Sequence, residues 1–283
     1  MRRFLKWIGY GLGGIIGLII VAAFGMYFVG RSKLARTYTP GRHLSSVTRD
    51  TLAIARGGHV MRIHGCQSCH GNDLEGKVFL DIPPFLAVAS NLTPGRGGVG
   101  GRFKVADWDR AIRHGLRSDG TALVAMPFQL FSHMSDEDVG PLIAFLQALP
   151  PMDNELPRSK VRPLGNIMIA LMSEADIRGV GPAPPVTSPP LGTAEYGRYL
   201  ASHTCVECHG RDLKGGKHPD PSGPLGPPLT PLAAWSLDMF ATAVRTGVIP
   251  GRPPLRDYMP WKYFSGMTDD EMRSLHEYIK TIR

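Results

Sequence analysis

Cys66-Gln67-Ser68-Cys69-His70 and Cys205-Val206-Glu207-Cys208-His209 use up all four cysteines of this 283-residue chain. Both are copies of C-x-x-C-H, the attachment signature of c-type haem. The chemistry explains the spacing: two thiols one helical turn apart each form a thioether to a haem vinyl group, and the adjacent imidazole reaches iron under the ring. A tetrahedral zinc site would also use paired C-x-x-C, but 135 residues separate the pairs and the His after each would be unexplained. A redox disulfide within each motif would need no such His and would expect a βαβ context. Structural disulfides across the chain are the remaining rival in an oxidising compartment. The motifs therefore predict two covalently attached haem c groups.

The chain repeats itself around these motifs. Gly58 to His64 precedes the first cysteine as Gly197 to His203 precedes the third, and Cys69-His70-Gly71-Asn72-Asp73-Leu74 matches Cys208-His209-Gly210-Arg211-Asp212-Leu213. Leu92-Thr93-Pro94 matches Leu229-Thr230-Pro231, and Ala111-Ile112-Arg113-His114-Gly115 matches Ala243-Val244-Arg245-Thr246-Gly247. Met126-Pro127-Phe128 matches Met259-Pro260-Trp261, and each leads on to a second methionine, Met134 or Met267. Two copies of one haem-binding unit are expected.

Each unit thus offers two methionines as the sixth iron ligand, and helix signals choose between them. Ser135 with Asp138, and Thr268 with Glu271, read as N-caps with an acid at N3. Apolar positions follow at helical spacing, Val139, Leu142, Leu146 and Met272, Leu275, Ile279. Met134 and Met267 precede the caps and are engaged in packing on Val139 and Met272. Met126 and Met259 instead lie in Pro-bounded loops that present a thioether at a fixed angle. The expected iron ligands are His70 with Met126, and His209 with Met259.

Cys66, Cys69, Cys205 and Cys208 complete the haem-binding set together with Arg113 and Arg245, each expected to hold a propionate by charge-assisted hydrogen bonds. Pro83 or Pro84, and Pro227 or Pro228, are expected to offer a carbonyl to the ligand imidazole and fix its orientation. His64 and His203 read as solvated helix positions. With both axial positions filled, iron has no open site for substrate, which argues for an electron-transfer protein and against an enzyme.

Ile8 to Val29 is an uncharged run of 22 residues, long enough at ~1.5 Å per residue to cross a hydrocarbon core of about 30 Å. Signal-peptide h-regions run about 7–15 residues, and no small-x-small cleavage site follows Val29. An uncleaved anchor is expected. Arg2, Arg3 and Lys6 precede the run and Arg31, Lys33 and Arg36 follow it, so charge alone leaves the orientation open. Covalent haem attachment takes place outside the cytoplasm, which puts the haem units on the periplasmic side of the inner membrane behind a single-pass helix. Gly9, Gly13 and Gly17 leave one face of that helix bare for a transmembrane partner.

A formal charge of +8 would suit nucleic acid, but no basic cluster interleaved with aromatics occurs and an exported unit meets none. A basic surface fits acidic donor and acceptor proteins or anionic headgroups better. The 25 prolines and 34 glycines favour short helices and long loops.

The two C-x-x-C-H units, Asn91-Leu92-Thr93-Pro94, Ala111-Ile112-Arg113, and Met126-Pro127-Phe128 followed by Met134-Ser135-Asp136-Glu137-Asp138 resemble class I cytochrome c domains. In particular they are similar to the multihaem cytochrome subunits of membrane-bound alcohol, gluconate and related dehydrogenases, over roughly residues 55–150 and 195–283. The resemblance implies small all-helical haem domains that relay electrons from a dehydrogenase toward quinone or a terminal oxidase. The chain departs from those subunits in carrying two haem motifs rather than three, and an N-terminal rather than a C-terminal membrane attachment.

The expected architecture is all-α: an anchor and spacer over 1–36, a cytochrome c domain over 37–150, a Pro-rich linker over 151–190 and a second cytochrome c domain over 191–283. The expected function is single-electron transfer between a dehydrogenase, or another respiratory or photosynthetic donor, and a downstream acceptor, as a carrier or a complex subunit. Its rivals are a di-haem peroxidase or thiosulfate-oxidising enzyme, of which the peroxidase needs an openable iron position, and a chiefly structural subunit of a respiratory supercomplex.

Overall fold

The computed structural model describes residues 2–179, 184–217, 223–249, 251–256 and 258–282. The apolar run lies in α1 (Arg2–Ala35), a helix long and apolar enough to cross a membrane. The first unit follows as α2 (Thr51–Ile63), α3 (Cys66–His70), strands β1 (Lys77–Ile82) and β2 (Phe85–Ala89), α4 (Val105–His114), α5 (Phe128–Phe131) and α6 (Asp136–Gln147). Strand β3 (Lys160–Val161), α7 (Pro163–Leu171) and α8 (Glu174–Ile177) lead into the second. That unit comprises α9 (Ala194–Thr204), α10 (Val206–His209), a 3-10 turn at Thr230–Ala234, α11 (Leu237–Thr246), α12 (Trp261–Phe264) and α13 (Asp269–Thr281).

The last helix of each unit begins where its capping residues put it. Ser135 is the N-cap of α6, and Thr268 closes a capping box with Glu271 at the start of α13. Met134 and Met267 stand just ahead, buried in the same apolar clusters as Val139 and Met272. One cluster gathers Val60, Trp108, Ile112, Leu142 and Ile143 where α2 packs on α6; the other gathers Leu200, Phe240, Leu275 and Ile279 where α9 packs on α13.

Both helix pairs cross at a glycine. A Cβ added to Gly57 would lie 1.9 Å from the Pro141 carbonyl oxygen, and one added to Gly197 would lie 1.9 Å from that of Ser274. Gly57→Ala and Gly197→Ala should each destabilise the fold by about 1–3 kcal/mol through overpacking, although alanine is the better helix former. Gly58→Ala should be milder, because its nearest neighbour is the edge of the Phe145 ring at 3.1 Å. Urea midpoints at unchanged slope would check the contrast. Counting back from the cysteines pairs Gly197 with Gly58 rather than Gly57. The offset is Gly65, an additional residue at φ 65° between α2 and Cys66, where α9 runs directly into Cys205.

The expectation of a purely helical chain is corrected in the first unit, where β1, β2 and β3 form a small antiparallel sheet in that order. Ile82 pairs with Phe85 across a turn made by Pro83 and Pro84, and Phe85 pairs with Val161. Lys77-Val-Phe-Leu-Asp-Ile and Phe85-Leu-Ala-Val-Ala are β-branched and aromatic runs on either side of a proline turn, which is a hairpin signal. The insertion has no counterpart among the described residues of the second unit beyond an isolated bridge between Gly216 and Gly226.

Residues after 150 fold back over the first unit. The Met152 carbonyl accepts from Asn91 Nδ2 at 2.7 Å and from Thr93 Oγ1 at 3.0 Å. Pro185 and Val186 carbonyls accept the N–H groups of Asp136 and Glu137 at the open N-terminus of α6. The apolar stretch from Leu164 to Met172 packs against the C-terminal end of α1, with Leu34 against Ile169 and Met172.

The two units touch through reciprocal contacts. His59 on α2 bonds Glu271 of α13 at 2.8 Å, and Tyr199 on α9 donates to Asp138 of α6 at 2.6 Å while accepting from the Ser135 N–H at 2.9 Å. Asp138 and Glu271 are the N3 acids of their helices, so each first helix holds the start of the other unit's last helix. A cavity of about 410 Å³ lies along this seam, lined by Arg56, His59, His64, Tyr196 and Tyr199 among others.

Candidate haem-attachment sites

Each C-x-x-C-H forms a helical turn that brings its two thiols to one side. All four cysteines are unpaired. Burial pushes the Cys66 thiol up to about 12 and the Cys208 thiol up to about 11. Thiols held protonated are poor zinc ligands, since zinc needs thiolates. No group of three or more metal-ligating side chains occurs among the described residues.

The imidazoles are oriented alike. His70 Nδ1 bonds the Ser90 carbonyl at 2.8 Å and His209 Nδ1 bonds the Pro227 carbonyl at 2.7 Å, which leaves Nε2 as the ligating atom in both. Burial holds both rings below their ordinary pKa and hence neutral. Pro227 is one of the two prolines expected in the second unit. In the first, Pro83 and Pro84 are occupied in the hairpin turn and the acceptor is Ser90. Counting back from Leu92-Thr93-Pro94 as from Leu229-Thr230-Pro231 pairs Ser90 with Pro227, so the repeat itself carried that signal.

The turn after each His is also duplicated. Leu74 and Leu213 sit at φ 60° and 56°, a left-handed conformation rare for leucine. Each is buried, and their carbonyls accept from Leu92 and Leu229 at 2.8 Å in both cases.

Met126 and Met259 lie in matching loops. Phe128 N–H and Trp261 N–H reach back to the Met126 and Met259 carbonyls at 2.8 Å each, and Pro127 and Pro260 adopt the same backbone conformation. Gly115 and Gly247, both at positive φ, make the room. A Cβ there would strike the Phe128 ring at 2.2 Å and the Trp261 ring at 2.7 Å. The Ala-x-Arg-x-Gly and Met-Pro-aromatic motifs are therefore one device, in which the glycine seats the aromatic that sets the Met loop. Met126 packs on the same core as Cys66, and Met259 on the same core as Cys205.

Arg113 is fully buried, with Nε to Asp109 at 2.5 Å and Nη1 to Asp136 at 2.8 Å and to the Met134 carbonyl at 3.1 Å. Arg245 makes the equivalent bonds to Asp269 at 2.8 Å and the Met267 carbonyl at 2.7 Å, and is partly exposed. Both arginines pin the start of the last helix. Arg113 Nη2 and Trp108 Nε1 are buried donors with no partner among the described residues. Such orphans are uncommon in an interior, and a propionate fits them. Trp108 was not singled out from sequence; its signal was a lone large aromatic with a polar edge on the α4 core face.

His64 and His203 are not solvated. Their rings are 6.0 Å apart, and Tyr199 stands edge-on to His203 at 4.5 Å. His64 Nε2 and both nitrogens of His203 are buried without hydrogen-bond partners among the described residues. α2 and α9 turn these positions toward the other unit, which only tertiary packing decides. Burial holds His203 well below its ordinary value of 6.5, helped by His64 and His133, and lowers His64 likewise. Below that value the unfolded chain binds protons that the folded chain does not, so stability should fall as pH drops below 6.5, with a slope of at most about 1.4 kcal/mol per pH unit for each histidine. Thermal unfolding between pH 7 and 5 should show this slope, flattened in His203→Leu.

The cytochrome c family model matches residues 194–283. That segment is a cytochrome c domain, a class that carries covalently bound haem c. Over most of its length the chain is similar to the cytochrome c subunit of alcohol dehydrogenase (quinone) from Komagataeibacter europaeus, at 28% identity over 272 residues, covering 82% of this chain and 56% of the relative. It is likewise similar to a diheme cytochrome c-type protein from Cereibacter sphaeroides, at 28% identity over 258 residues, covering 81% of this chain and 85% of the relative. The fructose dehydrogenase cytochrome subunit of Gluconobacter japonicus matches at 28% over 116 residues, covering 38% of this chain and 24% of the relative. The chain spans about half the length of the alcohol dehydrogenase subunits it matches.

Proposed function

We propose that the chain carries two covalently attached haem c groups, the first over residues 37–150 and the second over 191–283, and passes single electrons between a dehydrogenase and a downstream acceptor. It is an electron-transfer subunit or carrier rather than an enzyme. Helix α1 crosses the inner membrane once, with both units on the periplasmic side and the Gly9, Gly13, Gly17 face open to a partner helix. The observation that carries the reading is the duplicated geometry: imidazole Nδ1 on a carbonyl, left-handed leucine, and Met-Pro-aromatic loop seated on a glycine, in both units.

Haem c supplies a one-electron couple at each site. Cys66, Cys69, Cys205 and Cys208 would hold it covalently. His70 with Met126, and His209 with Met259, would take its iron, while Arg113 and Arg245 would meet propionates. The chain's own contribution is to keep the imidazoles neutral and oriented, exclude water with the apolar cores, and hold the two units in register through His59, Glu271, Tyr199 and Asp138. Detergent-purified protein should contain two haems per chain, reduce with two one-electron waves and bind no carbon monoxide when reduced. One haem per chain, or rapid carbon monoxide binding, would defeat the reading.

A further inference from the structure

Helix α7, from Pro163 to Leu171, is uncharged along its whole length and apolar except at Asn166. Gly165, Asn166 and Ile169 are buried, while Leu164, Met168 and Leu171 are 50%, 45% and 77% exposed on one face at i, i+4 and i+7. What faces them follows from where α7 sits. Its inner side lies on α1: a Cβ on Gly30 would strike the Asn166 carbonyl, and Lys33 Nζ donates to the carbonyls of Ala170 at 2.8 Å and Met172 at 2.7 Å. These contacts advance together along both helices, so the first turn of α7 lies level with the last turn of the Ile8–Val29 run. Its C-terminal end lies level with Arg31, Lys33 and Arg36.

We infer that α7 is a second membrane element, a short helix lying in the outer boundary between headgroups and acyl chains with Leu164 and Met168 against lipid. The inference rests on α1 spanning the bilayer. Two further features fit that environment. Backbone groups in lipid must be satisfied internally, and here Lys33 caps the C-terminal carbonyls while Pro163 at the first position removes an N–H that would otherwise lack a partner. Level with the C-terminal end of α7, Arg31, Lys33 and Arg36 supply basic side chains suited to phosphate headgroups, while Arg162, ahead of its N-terminus, is paired with Asp81 at 2.6 Å. The turn of the hairpin abuts the N-terminal end of α7, with the Arg162 N–H on the Pro84 carbonyl at 2.9 Å, and carries the half-exposed Leu80 and Ile82 alongside.

The test is photo-crosslinking of the full chain in its native membranes, with benzoylphenylalanine at Leu164 or Met168, at Ile20 within the span, and at the exposed Leu52 of α2. Irradiation should give a phospholipid mass adduct at Ile20, Leu164 and Met168 and none at Leu52. An adduct at Ile20 without one at Leu164 or Met168 would overturn the inference while leaving the anchor in place. A polypeptide adduct at Leu164 or Met168 would overturn it in favour of a subunit contact. Failure at Ile20 as well would remove the anchor and the inference together.

Discussion

Asp109→Ala should lower the stability of the first unit by about 3–5 kcal/mol, the usual loss when one partner of a buried ion pair is removed. Asp109 and Arg113 are both fully inaccessible. The carboxylate takes Arg113 Nε on one oxygen and the Leu44 N–H on the other at 2.9 Å. Without it the guanidinium keeps Asp136 and the Met134 carbonyl but leaves further donors unsatisfied in the interior. The equivalent position on α11 is Ala241, and Arg245 is partly exposed, so the second unit has no such vulnerability. Asp109→Leu with Arg113→Met should recover much of the loss, because replacing both partners by apolar groups leaves no orphan charge. Urea unfolding followed by circular dichroism would read both. A loss under about 1 kcal/mol for Asp109→Ala would mean that water reaches the site and that the pair is not buried in solution.

Met259→Ala should lower the midpoint potential of one redox wave by roughly a few tenths of a volt, within the ~0.8 V range that axial ligands command. It should also let half of the reduced haem bind carbon monoxide. Met126→Ala should do the same to the other wave. Met267→Leu is the control, since Met267 is buried ahead of α13 among Phe264, Met272 and Leu275. A volume-conserving change there should alter stability by less than about 1.5 kcal/mol and leave both potentials in place. If Met267→Leu moved a potential and Met259→Ala did not, the assignment of ligands within the unit would be reversed.

Local signals carried most of this reading. Capping residues marked the starts of α6 and α13, the C-x-x-C-H turns marked α3 and α10, and the proline loops separated Met126 and Met259 from the two core methionines. What escaped depends on packing between distant segments. The direction in which His64 and His203 face is set by how α2 and α9 meet across the units, and no periodicity in either helix encodes it. The one-residue slip at Gly65 shifted the register of the repeat without changing its motifs. The hairpin at Lys77–Ala89 was legible as two β-branched and aromatic runs flanking Pro83 and Pro84, a signal that the surrounding helical repeat does not contain. Asp109 looked like an ordinary helix acid, and its burial follows from the returning chain at Leu44.

The wall behind the Met126 loop is built from the membrane end of the molecule. Leu34 of α1, Ile169 and Met172 around α7, and Ile177 of α8 line the same small cavity as Met126, Pro127 and Phe128. A version trimmed after Ala35 to make it water-soluble would strip Leu34 from that wall and free the segment it braces. On the proposed reading, such a fragment should shift the potential of the first centre and leave that of the second, so electrochemistry on excised material would exaggerate the difference between them.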